Sequence, residues 1–318
     1  MDALTTLRSF ASRLLWLALA LLACSAITFA ILDILPGDPA RAMLGMNATD
    51  EALTALHAKL GLDRPPMMQY LAWLDDLAHL RLGTSMTYDI PVAQLLSGRL
   101  AITLPLAAGA MTIALSLGLP FGAIAARRRH RADGVMLDAA AQLLQSVPDF
   151  WLGIALVGIF ALHWRFAPSG GFPGWAHPAA ALGALVLPAL ALALPQAAVL
   201  MRVMRSALIS IEPQDFIRSA RARGLSPARI FLRHALPHAL LPVLTIATMQ
   251  ISFLIGGAVV VETVFDLPGL GRMLFDAVGN HDLVVLRDLV LLVAAAITLL
   301  SMLAEWLATR LDPRGQPR

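Results

Sequence analysis

Apolar runs of about 20 residues recur along this chain, and each is long enough to cross the hydrocarbon core of a bilayer as a helix. They fall at about Leu14 to Leu35, Thr103 to Ala126, Ala139 to Phe160, Ala179 to Met201, Leu240 to Val261 and Leu286 to Ala308. The pattern predicts an all-α polytopic membrane protein with about six transmembrane helices, in which residues 1–318 form a single transmembrane domain. Between the first two runs, residues 36–99 are polar, with amphipathic stretches at Glu51 to Leu60 and Met68 to Leu80, and read as a small extramembrane segment. Pro105 falls in the first turn of the second predicted span, where a missing N–H costs little.

Composition and charge sharpen this reading. The 318 residues are 58% hydrophobic and only 14% charged, against roughly 25% charged in an average soluble domain. A formal charge of +3 does not indicate nucleic-acid binding, because the basic residues fall in short loops between apolar spans instead of forming an exposed face with interleaved aromatics. Of the 24 basic residues, 16 lie in segments that share one side if the N-terminus is inside, including Arg8, Arg13, the run Arg127-Arg128-Arg129-His130-Arg131, and Arg310, Arg314 and Arg318. The positive-inside rule then places both termini in the cytoplasm and residues 36–99 outside, in a bacterial-type inner membrane. Leu21-Leu22-Ala23-Cys24 loosely matches a lipoprotein cleavage site, but the apolar run continues to Ile34, so a retained span is expected. Cys24 is the sole cysteine and Lys59 the sole lysine. The first excludes an intrachain disulfide, and the second excludes a phosphate-binding loop, which ends in lysine.

Residues 202–238 form the most unusual segment, strongly basic and interrupted at Gly224. Ile211, Phe216 and Ala220 recur at helical spacing up to Arg223, Gly224 can end that helix with a positive φ, and Ser226-Pro227 reads as a cap with proline at the first position of a second helix. That second helix is expected to run from Ala228 to about Ala235 and stop near Pro237. Such a helix–turn–helix suits either a basic element lying on anionic lipid or a docking element for a partner protein. Within the spans, Gln196, Thr248, Gln250 and Ser252 are candidates for a translocation path, with interhelical hydrogen bonding as the alternative. The eight histidines lack metal-ligand spacing, so no metal site is expected. No catalytic residues are assigned either: an intramembrane hydrolase would need a placed nucleophile, paired aspartates or a His-Glu-x-x-His helix. An ion-driven secondary carrier is the competing transport class, and it would carry charged residues deep in its spans.

Arg218-Ser219-Ala220-Arg221-Ala222-Arg223-Gly224-Leu225, followed by Arg233-His234-Ala235-Leu236-Pro237 and Leu240-Leu241-Pro242, resembles the coupling loop of ATP-binding-cassette importer permeases, in their dipeptide, oligopeptide and nickel branch. Arg218 stands where the wider superfamily has Glu. Leu35-Pro36-Gly37-Asp38-Pro39-Ala40, Leu60-Gly61-Leu62-Asp63-Arg64-Pro65, Ser146-Val147-Pro148-Asp149-Phe150-Trp151 and the stretch from Glu262 to Arg272 resemble further segments of the branch in the same order. The resemblance implies the type I importer permease fold and one half of a heteromeric channel. Its partners would be a second homologous permease, two ATP-binding subunits, an extracytoplasmic solute-binding protein and membrane lipid, with no nucleic acid. This chain would hold no cofactor and no ATPase activity, ATP being bound by the partner subunits. Arg218 to Leu225 would form the ATPase-coupling element, with Ala220, Gly224 and Leu225 as its contact and turn residues. Peptides are the first expectation for the cargo and nickel or its chelates the second.

Overall fold

The computed structural model describes residues 3–34, 38–44 and 49–311. Within them the regular structure is helical, in the order α1 (Ala3–Ile34), α2 (Pro39–Leu44), α3 (Asp50–Leu60), α4 (Pro66–Ala78), α5 (Val92–Arg127), α6 (Ala132–Gln145), α7 (Asp149–Leu156), α8 (Pro178–Ile211), α9 (Asp215–Ala222), α10 (Pro227–Ile230), α11 (Leu236–Val264), α12 (Leu270–Gly279) and α13 (Leu283–Leu311). Two π-helical stretches, Val157–His163 and Phe231–Ala235, extend α7 and join α10 to α11. Five helices are long and apolar enough to cross a membrane, and a sixth crossing is available if the bent pair of α6 and the α7 segment counts as one. The expected entry to the polar segment at Leu35-Pro36-Gly37 lies outside the described residues, as do Arg314 and Arg318.

Four details differ from the sequence expectation. Pro105 sits well inside α5, together with Pro120, because the helix begins at Val92 and not at Thr103. A proline is tolerated in the interior of a spanning helix because neighbouring groups can satisfy the freed carbonyl. The third span is broken: α6 and the α7 segment meet at 102°, and Ser146-Val147-Pro148 forms the corner instead of opening a straight span. Proline disfavours helical backbone in the residue before it, which ends α6 just ahead of Pro148. The fourth helix continues past Met201 to Ile211, so Arg202 and Arg205 lie on a helix and not in a loop. Pro237 does not end the helix that follows the glycine turn: α10, the π turn and α11 run on continuously from Pro227 to Val264.

The chain divides into two compact units. One comprises residues 1–101 and 272–299. Its short helices begin and end on local signals. Thr49 caps α3 through a bond from the Ala52 N–H (3.3 Å), and Gly61 closes that helix at φ +68°. Asp38 accepts from His57 Nε2 and the Ala40 N–H, both at 2.9 Å, and the His57 bond is the main reason its carboxyl is held below the usual range. Buried Trp73 donates from Nε1 to Asp288 (2.8 Å), and Asp282 caps α13 through the Val285 N–H (3.2 Å) while accepting from Ser85 Oγ.

The other unit comprises residues 102–271 and 300–318. Its axis is α8, buried along most of its length by a sequence rich in alanine. Small residues let helices approach closely where lipid supplies no hydrophobic drive between them. Gly118 and Gly122 of α5, one turn apart, show how closely: a Cβ on either would come within 2.8 Å of a backbone carbonyl of α8. Helix α11 packs along α8, and Leu192, Leu200, Val243, Leu254 and Phe265 are among the fully buried side chains of this core.

Candidate functional site

The elbow at residues 211–235 is built by its own sequence. Helix α9 is amphipathic: Ile217 and Ala220 are buried and form a small apolar cluster with Ile230, against which Ile211, Phe216, Leu225 and Ala235 pack. The opposite face presents Asp215, Arg218, Ser219, Ala222 and Arg223 to solvent. The helix stops in a Schellman turn. Gly224, at φ +75°, donates its N–H to Arg221 O (2.9 Å), and the Leu225 N–H reaches back to Ala220 O (3.3 Å). Those are the two bonds that define the motif, and Leu225 supplies the hydrophobic contact that accompanies it. Ser226 is extended and precedes Pro227 at the first position of α10, but it caps through geometry alone, since its hydroxyl makes no capping bond. Of the eight residues expected to couple to a partner, the structure exposes Arg218, Ser219, Arg221, Ala222, Arg223 and Gly224 and leaves Leu225 half-buried. Ala220, expected at the contact surface, is fully buried. Its part is to seat α9 on the rest of the unit.

Electrostatics fix the elbow to its neighbours. Glu212, at the C-terminal cap of α8, accepts from Arg129, just beyond the end of α5, in a short charge-assisted bond. It also accepts from Arg221 of α9 at 3.4 Å. One carboxylate thus clasps the ends of α5 and α8 to the elbow. The Arg129 bond, with the smaller Arg221 contribution, holds the Glu212 carboxyl below its ordinary range despite an opposing desolvation effect. Ring contacts add to the join: Phe216 stacks on His238 with centroids 4.8 Å apart, and the Arg127 guanidinium lies 5.5 Å over the Phe231 ring. A cleft of about 670 Å³ opens between these elements. Sequence reasoning used Arg129 only as part of a basic run that orients a span, and did not single out Glu212. The available signal was an isolated Glu at the end of a long apolar helix, just before a basic segment.

The four path candidates do not converge on one surface. Gln196 on α8 and Gln250 on α11 are buried, whereas Thr248 and Ser252 are half-buried. Thr248 and Ser252 are four residues apart and share a face of α11, while Gln250 projects from another. Thr248 Oγ1 is bonded to its own helix at Thr245 O (2.7 Å).

A second polar centre emerged that the sequence marked only as an acidic residue near a span end. Fully buried Glu262, near the end of α11, accepts from Thr103 Oγ1 (2.6 Å) and the Gly271 N–H (2.7 Å), while Thr103 accepts from the Leu270 N–H (2.9 Å). Gly269 leaves room for it, because a Cβ there would lie 2.2 Å from the Glu262 carboxyl carbon and would displace that carboxylate. These bonds latch the turn after α11 to α5. Among the described residues, no group of three or more His, Cys, Asp or Glu side chains is arranged to hold a metal ion.

Helices long and apolar enough to cross a membrane, with an arginine-faced amphipathic elbow after α8, define a multi-pass membrane protein. The chain belongs to the family of binding-protein-dependent transport system inner membrane components, whose model matches residues 118–316. A companion model for the N-terminal part of such membrane components matches residues 6–107. Relatives include a peptide transport system permease protein of Brucella suis biovar 1, 38% identical over 289 residues, covering 91% of this chain and 92% of that one. The dipeptide transport system permease protein DppB of Escherichia coli K12 is 35% identical over 318 residues, with the same coverage. Among solved structures, an inward-facing MetNI methionine ABC transporter shares the fold at a TM-score of 0.58 and 20% identity, over 69% of this chain and 97% of that chain. The chain is therefore a multi-pass membrane subunit of a transport system and works with other subunits of that system.

Proposed function

We propose that the chain is one half of the conduit of an ATP-driven peptide importer in a bacterial-type inner membrane. A second homologous permease completes the conduit, two ATP-binding subunits dock on the elbow, and an extracytoplasmic solute-binding protein delivers cargo. Both termini are cytoplasmic, residues 36–99 face outward, and residues 202–238 form the coupling loop, with α9 and the Gly224 turn at its centre. The chain binds no cofactor, since ATP belongs to the partner subunits. Cargo crosses along the face of α11 that Thr248 and Ser252 share, while buried Gln196 and Gln250 are left to interhelical packing.

The observation that carries this reading is the amphipathic α9, seated by Ile217 and Ala220 and closed by a glycine turn. A load applied to its exposed face passes through Glu212 into the ends of α5 and α8. Work done by a partner must enter a channel through contacts that differ between its two states. Peptides come ahead of nickel because the relatives are named for peptide and dipeptide transport. The test is uptake in proteoliposomes that hold the chain with the permease, ATPase and solute-binding subunits of its own system. Labelled dipeptide should accumulate only with ATP, and nickel should not. Nickel uptake alone would reassign the cargo, and ATP-independent accumulation driven by an ion gradient would refute the class.

A further inference from the structure

We propose that the cleft behind the elbow is a binding site for the headgroup and upper acyl chain of an anionic phospholipid. The cleft lies where three membrane-crossing elements end: α5 finishes at Arg127, α8 at Ile211, and the long α10–α11 element begins at Pro227. With the elbow on the cytoplasmic side, as proposed above, these ends would face the headgroups of the inner leaflet. The cleft's lining is of two kinds. Leu208, Ile209, Ile230 and Phe231 are apolar, and Arg127, Arg129 and Arg221 carry positive charge.

The charges do not balance within the cleft. Glu212 is the one carboxylate lining it and is shared by Arg129 and Arg221. His130 Nε2 accepts from Arg129 (3.0 Å). Arg127 makes no ion pair among the described residues and spends its guanidinium on the Phe231 ring. Three arginines against one glutamate leave two positive charges in a cleft that also has an apolar lining. Arginine forks match phosphate oxygens, and a stacked guanidinium keeps its N–H edge free to donate. A phosphodiester carrying acyl chains satisfies both kinds of lining, whereas a soluble phosphate satisfies only one. The exposed face of α9, offered to protein partners, is the opposite face from the one lining this cleft. Lipid and partner therefore bind the same short helix from two sides.

The experiment purifies the full chain from membranes in mild detergent and counts retained phosphatidylglycerol and phosphatidylethanolamine per chain by mass spectrometry. The pair Arg127→Gln with Arg129→Gln is compared with Arg229→Gln with Arg233→Gln, an equal charge change outside the cleft lining. The parent should retain phosphatidylglycerol in preference to phosphatidylethanolamine. The cleft pair should weaken that retention roughly 30-fold, as expected for two arginines near a lipid surface, and the control pair should leave it unchanged. Ala235→Trp fills the cleft without touching its charge and should also expel the lipid. An excess of soluble glycerophosphate should not displace it. Equal loss from both arginine pairs would reduce the effect to diffuse surface charge, and displacement by glycerophosphate would make the ligand a free phosphate; either result overturns the proposal, as does retention by the Ala235→Trp chain.

Discussion

Replacing Gly224 in a graded series tests whether the glycine turn shapes the elbow. A Cβ at this position meets nothing within 4 Å, so any cost is conformational and not steric crowding. An L-residue held in the left-handed region costs about 1–2 kcal/mol, with Asn the best tolerated because its short side chain bonds locally. Gly224→Asn should therefore be nearly silent. Gly224→Ala should lower the local stability of the turn by about 1–2 kcal/mol, a factor of roughly 5–30 in the opening equilibrium. Gly224→Pro is different in kind. Proline fixes φ near −65°, a rotation of roughly 140° from the observed +75°, and removes the N–H that bonds Arg221 O; about 3 kcal/mol or more is expected. Amide hydrogen exchange at Leu225, whose N–H closes the turn on Ala220 O, reads the local term directly. Transport per ATP hydrolysed, in vesicles with the partner subunits, reads the functional one. Exchange at Leu225 should rise from Asn to Ala to Pro, and only the assembly with the Pro chain should let its partner subunits hydrolyse ATP without moving cargo. A normally inserted Gly224→Pro chain with parental exchange and coupling would refute the reasoning, as would an Asn chain as damaged as the Pro chain.

Two further predictions follow from the polar centres. Glu212→Gln should loosen the clasp by about 1 kcal/mol or less, because Glu212, Arg129 and Arg221 are all partly exposed and screened. Since Arg129 and then Arg221 lower the folded-state pKa of Glu212, its contribution is fully present above the ordinary glutamate value and is lost as pH falls through the lowered one. Thermal unfolding of parent and Glu212→Gln chains in detergent should thus differ at neutral pH and converge in strong acid; a difference that grows on acidification would contradict the assignment. At the latch, Thr103→Val removes one bond to Glu262 and strands the Leu270 N–H, at about 1–3 kcal/mol for the group left unpaired. Gly269→Ala should destabilise further by driving a Cβ into the Glu262 carboxyl, and an unchanged melting temperature in either chain would show that the latch contributes nothing to folding.

Much of the architecture was legible from local chemistry. A run of about 20 apolar residues has one stable way to satisfy its backbone in lipid, so the spans near α1, α5, α8, α11 and α13 were placed to within several residues of their cores. Gly224, followed by Ser226-Pro227, marked the elbow because positive φ and a proline at the first helical position are properties of single residues and their immediate neighbours. The helix ends escaped where local rules compete with packing. Pro105 reads as the start of a span and Pro237 as the end of a helix, yet both lie within continuous helical stretches, because a spanning helix is held by its neighbours and by the absence of water as much as by its own ladder. The corner at Ser146-Val147-Pro148 left no hydropathy signal, since both of its arms are apolar.

The sequence by itself determined that this chain lives in a membrane, how its apolar runs are spaced, and where its arginine-faced elbow turns, because each depends on residue type and short-range geometry. Tertiary structure alone decided which charges meet. Arg129 and Glu212 are 83 positions apart and Thr103 and Glu262 are 159 apart, and no local rule pairs groups at that separation. Likewise it was packing that turned Ala220 inward and Arg218 outward on the same short helix. A long-range bond forms only once the chain has folded back on itself, so the clasp, the latch and the cleft became visible only when the helices were assembled.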